Sequence, residues 1–458
     1  MEDMKNGKRS SFSGKLGYVL AAAGASVGLG NIWRFPYLAA KYGGGIFLII
    51  YIVLALTFGY TMIVAETAIG RMTRKSPVGA FKSFGKKKWL SFGGWINAVI
   101  PVLIVPYYSV IGGWVIKYLV EYFRGNAKLL AEDGYFTDFI SNGVSTELCF
   151  VAFCAFTLII IFAGVQNGIE RVSKIMMPIL IVLSVIIAVY SVTRPGAIAG
   201  VKYFLVPNVK NFSWMTVVSA MGQMFYSLSI AMGILITFGS YMKKDTAIED
   251  STRNVEIFDT GIAIMAGLMI IPAVFAFSGG DPDTLQAGPS LMFITIPKVF
   301  QNMGFGTVIG IVFFLLVLFA AVTSSIALTE SAVSTFEDEL GWGRKKATVL
   351  VGVIMLALGS LSSLGYGPLA GIKIIGMQFL DLFDFLTNSV MMPIAALLTS
   401  LFVSRVVGID KIEEEIIHGE SAFRRKKVFV VMIKYLCPVF AIIILLSSVA
   451  NALGWIKM

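Results

Sequence analysis

The sequence predicts an all-α polytopic membrane protein of about eleven transmembrane helices. Three observations predict it. Of its 458 residues 57% are hydrophobic and 14% charged, with a mean hydropathy of +0.82, a balance that would not keep a chain dissolved in water. Apolar runs long enough to span fall near 17–40, 46–70, 90–120, 147–165, 172–193, 214–241, 257–279, 306–334, 347–364, 376–404 and 428–455. Basic residues gather in alternate connections: Lys5, Lys8, Arg9 and Lys15 before the first run, Arg71, Arg74, Lys75 and Lys86 to Lys88 after the second, and Lys243 and Lys244 after the sixth. Arg344 to Lys346 follow the eighth and Arg424 to Lys427 the tenth, so all fall on one side, the cytoplasmic one by the positive-inside rule. An odd number of spans then leaves the C-terminus outside.

Taken in order, residues 1–16 are polar and basic and lack the apolar core and cleavage site of a signal peptide, so they read as a cytoplasmic segment and the first helix is retained. That helix weakens itself with Gly24, Gly28 and Gly30, around Ser26 and before Asn31. An interior glycine costs about 1 kcal/mol relative to alanine, and the run predicts a break. Lipid cannot satisfy the exposed N–H and C=O groups, so the segment must face protein or a polar cavity. Freed carbonyls suit a cation, and a half-helix N-terminus suits a carboxylate. A small-residue stripe for helix packing is the alternative reading. The second run carries Glu66, buried by position, and the third carries Tyr107 and Tyr108 after Pro106, either ligands or an aromatic pair filling core. Gly168 and Pro178 bracket the start of the fifth span, which marks local unwinding or an ordinary helix start. The sixth run is interrupted at 227–233 as the first is at 24–30, and paired interruptions of this kind point to a midplane site. Asp259 in the seventh is an intramembrane acid, functional by default. Residues 283–302 are apolar but carry Pro289 and Pro297, and read as a short helical hairpin over the outer face. A cytoplasmic loop, 406–427, precedes the last helix, 428–458.

Composition also excludes classes. One histidine, His418 in a charged loop, and no paired catalytic motif leave enzyme chemistry little to work with. The net charge of +10 follows the loops, which argues for membrane orientation and against nucleic acid. Cys149, Cys154 and Cys437 lie in apolar runs without disulfide or metal spacing.

Residues 17–45, GYVLAAAGASVGLGNIWRFPYLAAKYGGG, closely resemble the first-helix signature of the neurotransmitter:sodium symporter family. Matches continue at 66, 107–108, 222–233, 259 and 320–325, and the bacterial amino-acid transporter branch fits best. The resemblance implies the leucine-transporter fold: a 5+5 inverted repeat with helices 1 and 6 broken, helices 1–5 in 17–205 and helices 6–10 in 206–405, plus one C-terminal helix. It implies a sodium-coupled symporter, importing neutral hydrophobic L-amino acids across the plasma (inner) membrane by alternating access, with no obligatory protein partner.

Two sodium sites are implied. The first takes Ser26, Asn31, Ser227 and Asp259, completed by the substrate carboxylate; the second takes Gly24, Val27, Ala320, Thr323 and Ser324. Family members usually have asparagine where Asp259 stands, and chloride-dependent ones bind an anion nearby. A fixed carboxylate replaces that anion, so no chloride is expected; a buried acid paired to a structural cation is the other reading, and Asp259 is also able to take a proton. Thr323 and Ser324 alone fit bonding to their own backbone as well. Leu29 and Gly30 N–H groups and Tyr108 would take the substrate carboxylate, and carbonyls near Ser26, Tyr226, Ser227 and Ser229 the amine. Gly28, Ile104, Tyr226, Met232, Ser324 and Leu328 would surround a side chain without offering it a charge. Met232 adapts its shape; Tyr226, where phenylalanine is more frequent, would hydrogen-bond a polar or aromatic substrate.

Arg34 with Asp384, or with its rival Asp381, is the expected outer gate, and Arg9 with Asp338 the inner one. Glu66 is expected on the unwound backbone of the first helix, and Gln223, near Ser227 and Tyr51, marks the anion pocket of chloride-dependent relatives. The rival functions are the same fold moving a biogenic amine or another small zwitterion, and a non-transporting sensor or channel.

Overall fold

The computed structural model describes residues 10–85, 87–279, 288–452 and 455. In chain order the principal helices are α1 Lys15–Ser26, α2 Gly30–Lys41, α3 Gly45–Thr73, α4 Lys88–Phe123, α5 Gly143–Phe162 and α6 Val165–Val192. Then follow α7 Trp214–Ser227, α8 Ile234–Tyr241, α9 Ile248–Ser278, α10 Leu291–Gln301, α11 Gly306–Leu340, α12 Arg344–Leu364, α13 Phe379–Val407 and α14 Lys426–Ala452. Among the described residues nine of these are long and apolar enough to cross a bilayer, and α1 with α2, bent by 53°, makes a tenth. The expected count of eleven is reached only if α7 and α8, separated by non-helical residues 228–233, also cross as one.

Helix α4 packs along α11, with α5 and α12 against α4. Helix α8 packs along the second half of α3, α1 lies between α9 and α11, and α6 bridges α9 and α11. Small residues set the closest approach. A Cβ at Gly70 would stand 2.0 Å from the Ile236 carbonyl oxygen, and one at Gly239 2.4 Å from that of Thr67, so α3 and α8 touch backbone to backbone.

The first interruption is narrower than its glycines predict. Helix α1 runs through Gly24 to Ser26, and only at Val27 does the chain leave it (φ −77, ψ 95). Gly24 serves packing: its Cβ would lie 3.1 Å from Thr323 Cβ on α11. The chain re-enters helix at Gly30 with a π turn, Gly30–Arg34. Pro36 has no N–H for the bond to Ile32, and the turn before it widens, Phe35 N–H reaching the Gly30 carbonyl. The second interruption is strained: Ser229 (φ 53) and Ala231 (φ 59) are left-handed without being glycine. Such residues cost roughly 1–3 kcal/mol each and persist where the surroundings over-determine them.

Helix α6 begins wound, as the π turn Val165–Glu170, with Pro178 inside the following helix. A Cβ at Gly168 would stand 2.1 Å from the Ile160 carbonyl oxygen. Residues 283–287 of the expected outer hairpin lie outside the described residues, and the rest is the single short helix α10. Its Phe293 stacks on Phe136 (5.1 Å) and meets Trp114 and Tyr118 edge-on, while Tyr118 OH donates to the Phe293 carbonyl (2.7 Å). The 406–427 segment folds too: its helix Ile409–Ile417 buries Glu415, which takes Arg71 Nε (2.7 Å) and Lys244 Nζ (2.7 Å).

Candidate functional site

The two interruptions face one another. Ser229 Oγ donates to the Ala25 carbonyl (2.9 Å), tying the loosened segment between α7 and α8 to the end of α1. Across this junction Asp259, fully buried on α9, takes Asn31 Nδ2 (2.8 Å) and Ser227 Oγ (2.8 Å) on Oδ1 and Tyr51 OH (2.8 Å) on Oδ2. Asn31 Nδ2 also donates to Ser227 Oγ (2.9 Å), and Asn31 Oδ1 accepts the Gly28 N–H (3.1 Å). Ser26 stands beside this group, its hydroxyl turned one helical turn back to the Ala22 carbonyl (3.1 Å). The donor set is all oxygen once the Asn31 amide turns over, and it includes one carboxylate; it suits a hard monovalent cation.

A second group gathers where α1 meets α11. Ser324 Oγ lies 3.2 Å from the Gly24 carbonyl oxygen, 3.1 Å from that of Ala25 and 3.4 Å from that of Val27. Thr323 Oγ1 bonds its own helix at Phe319 (3.0 Å) and Ala320 (3.2 Å), the ordinary habit of a helical threonine. Here every candidate ligand is a neutral oxygen.

Between the groups lies a cavity. Ser26, Gly28, Leu29, Gly30, Ile104, Tyr108, Tyr226, Ser227, Ser229, Met232, Ser324 and Leu328 line it, with Ala25 and Asn31. None of these side chains is charged. At one end Tyr108 OH accepts the Leu29 N–H (3.3 Å) at the opening of α2. A Cβ at Gly28 would stand 2.6 Å from Ser324 Oγ and 3.1 Å from Tyr108 OH, and one at Gly30 2.4 Å from the Tyr226 ring. The glycines that break the helix are thus also the ones that let the walls close in.

Tyr226 lines both this cavity and the wider vestibule that holds Arg34, Tyr107, Asp381 and Asp384, so its ring stands between the two. The guanidinium of Arg34 lies over that ring, 5.3 Å from its centroid. The expected ion pair between Arg34 and Asp384 is not made: among the described residues no salt bridge joins them. Asp384 takes Asn388 Nδ2 (2.6 Å), one turn on along α13, and Tyr107 OH (3.2 Å) from α4, and Asp381 takes Tyr366 OH (3.3 Å) from the turn after α12.

At the other end Arg9 lies outside the described residues; Asp338 accepts the Ser76 N–H (2.7 Å). Glu66 departs from expectation. It accepts the Ala231 N–H (2.8 Å), in the second interruption and not the first, because that segment's left-handed turn aims an otherwise orphaned donor at α3. Gln223 donates to the Gly30 carbonyl (3.1 Å), while the Tyr51 hydroxyl contacts Ser227 and Asp259 beside it. Gly168 and Pro178 lie along the start of α6, apart from the cavity lining.

Sequence reasoning missed Glu330. It is fully buried on α11, paired with Arg344 (2.6 Å), and takes Tyr241 OH (2.7 Å) from α8. An acid within an apolar run was the available signal. It also missed Phe12, whose ring sits among Tyr18, Phe238 and Tyr241 at 5.6–6.1 Å.

The sequence profile of the sodium:neurotransmitter symporter family matches residues 9–137 and 134–455. The chain is 34% identical over 450 residues to the sodium-dependent transporter YhdH of Bacillus subtilis (strain 168), covering 97% of this chain and 99% of that one. It is 31% identical over 460 residues to a sodium-dependent transporter of Haemophilus influenzae, again covering 97% and 99%. The crystal structure of MhsT in complex with L-phenylalanine is similar with a TM-score of 0.86 at 35% identity, over 96% of this chain and all of that one.

Proposed function

The chain belongs to the sodium:neurotransmitter symporter family, and from that premise we propose that it imports neutral hydrophobic L-amino acids with sodium and without chloride. It is a multi-span sodium-dependent symporter and not an enzyme. One observation carries the finer reading: the two helix interruptions open on a single cavity with backbone donors at one end and no charged side chain anywhere in its lining. A zwitterion finds there a place for each of its charges, and its side chain finds only Ile104, Met232, Leu328, Tyr108, Tyr226 and small residues. The L-phenylalanine held by the similar MhsT agrees with an apolar side chain.

In this reading the carboxylate takes over the Leu29 N–H and the Tyr108 hydroxyl, which now satisfy each other. The amine meets carbonyls near Ser26, Tyr226, Ser227 and Ser229. A first sodium ion binds Ser26, Asn31, Ser227 and Asp259 and the substrate carboxylate. On its arrival the Asn31 amide turns over, and the Ser227 hydroxyl turns its proton away from Asp259. A second ion binds Gly24, Val27, Ala320, Thr323 and Ser324, joining α1 to α11. Asp259 supplies the negative charge that an anion provides elsewhere, so chloride is dispensable. Substrate and ions together favour one arrangement of the gates over the other, which is all that coupling requires. Arg34 and Asp384 then close the outer side, over Tyr226, and Asp338 holds the inner side with Arg9.

We count α7 with α8 as the eleventh crossing, with residues 1–16 and 406–427 cytoplasmic and the C-terminus outside. Helices α1 to α6 with residues to 205, and α7 to α13, form the two inverted halves. The test is uptake of labelled leucine, tryptophan and tyrosine by the purified chain in proteoliposomes, with and without a sodium gradient and with chloride replaced by gluconate. Sodium-dependent uptake of at least one of them in both anions supports the reading; none, or uptake abolished without chloride, overturns it.

A further inference from the structure

Helix α14 carries a charge where an apolar span has no use for one. Lys434 lies eight residues past Lys426, about 12 Å along the axis at 1.5 Å per residue. It is exposed on the outer surface of the helix, between Val431 (49% exposed) and Tyr435 (66%), and among the described residues it has no hydrogen bond or ion pair. A lysine at that depth extends its stem along the helix and brings its ammonium to the headgroup level. A second cation lies on the neighbouring turn. The last turn of α13, Val403–Val407, packs on the Met432–Leu436 turn of α14, and Arg405 in that turn is likewise exposed and unpaired among the described residues. The same end of α14 begins with Arg424, Arg425, Lys426 and Lys427, of which Arg424 and Lys427 are exposed. Tyr435 and Leu436 (38% exposed) continue the lipid-facing surface beneath.

We propose that this α13–α14 surface holds an anionic phospholipid, its phosphate between Arg405 and Lys434 and its acyl chains along α14. Charge complementarity selects the headgroup: two unpaired cations sit at one helix–helix seam, at the basic end of the helix, with no carboxylate spending itself on either. Of the nearby acids Glu413 is engaged by Lys426 (2.5 Å) and Glu415 by Arg71 and Lys244, and Asp410 and Glu414, exposed on the Ile409–Ile417 helix, pair with neither cation among the described residues. The apolar stripe selects a lipid over a free phosphate, because Lys434 is reached from the bilayer.

The experiment uses the purified full chain, delipidated in mild detergent and titrated with phosphatidylglycerol or phosphatidylethanolamine, bound lipid being counted by native mass spectrometry. One phosphatidylglycerol is expected to bind in preference to phosphatidylethanolamine. Each basic residue near a membrane surface contributes enough for about a fivefold effect on affinity. Lys434→Leu and Arg405→Ala should therefore each weaken phosphatidylglycerol binding about fivefold, and the double variant about 25-fold. Lys434→Arg should bind as the parent does, and so should Lys87→Ala at the start of α4. Leucine at a lipid-facing position leaves the fold intact, and Lys434→Arg separates charge from shape should it not. Equal binding of the two lipids, or parental phosphatidylglycerol binding by the double variant, overturns the proposal.

Discussion

A carboxylate survives inside a bilayer only with partners, and Asp259 has three of them, Asn31, Ser227 and Tyr51. Each is a neutral donor, so the negative charge is solvated without being cancelled and remains available to a cation. Replacing Asp259 with Asn keeps the shape and removes the charge. A contact to a charged group is worth about 1.5–3 kcal/mol, so the half-saturating sodium concentration should rise roughly 10- to 100-fold in chloride-free medium. Added chloride should restore part of the loss. Uptake against sodium concentration, in chloride and in gluconate, measures both effects; an unchanged sodium dependence would mean that Asp259 is not a ligand. Gly30 supplies a second test at this scale. Any side chain there meets the Tyr226 ring, since even a Cβ would stand 2.4 Å from it. Gly30→Ala should lose substrate binding by scintillation proximity while Ala25→Gly, which adds no atom, retains it.

At the scale of elements, the break between α7 and α8 depends on one acid from α3. Glu66 meets the Ala231 N–H at 2.8 Å in a turn where two non-glycine residues are left-handed. Glu66→Gln keeps an acceptor there, whereas Glu66→Ala leaves a buried donor unpaired at a cost of about 1–3 kcal/mol. The alanine variant should melt below the glutamine variant in a thermal-shift series, and the difference should persist without substrate. Which backbone donor a buried acid meets was beyond the reach of the sequence. Glu66 was readable as buried, but α3 passes both interruptions, and only tertiary approach decides between them. The first interruption was readable because Gly28 and Gly30 weaken a helix by local chemistry, whereas the 227–233 stretch has one glycine and takes its shape from tertiary partners such as Glu66. Gly24 misled for the same reason: its missing side chain serves the approach of α11, which no local rule reports. Asp384 was readable as a vestibule acid, and Asn388, one turn on along α13, was within reach of the i,i+4 spacing, while its donor Tyr107 depended on how α4 and α13 lie together.

At the scale of the molecule, the proposed transport cycle requires two groups of helices to stay joined at the inner end in one state and part there in the other, and Glu330 sits where they join. On one side it accepts Tyr241 OH from α8 at 2.7 Å; on the other it pairs with Arg344 through two contacts, at 2.6 and 3.0 Å. Arg344 also donates to the Ile161 carbonyl at the end of α5 (2.9 Å), so α5, α11 and α12 are pinned together, while α8 is attached to α11 by hydrogen bonds, Tyr241 OH to Glu330 and Thr237 Oγ1 with Ser331 Oγ (3.3 Å). The strengths differ in kind. Removing one partner of a buried ion pair costs about 3–5 kcal/mol, whereas a hydrogen bond to a charged group contributes about 1.5–3 kcal/mol. Glu330→Ala should therefore lower folded yield and melting temperature sharply, and Glu330→Leu combined with Arg344→Leu should recover much of that loss. Tyr241→Phe should lower the melting temperature less than Glu330→Ala does and weaken the attachment of α8. Its expected effect is on the balance of states: faster modification of a cysteine placed at Ser334, buried on α11 toward the inner end, in sodium-free medium. Equal modification rates in Tyr241→Phe and its parent would assign the hydroxyl to packing.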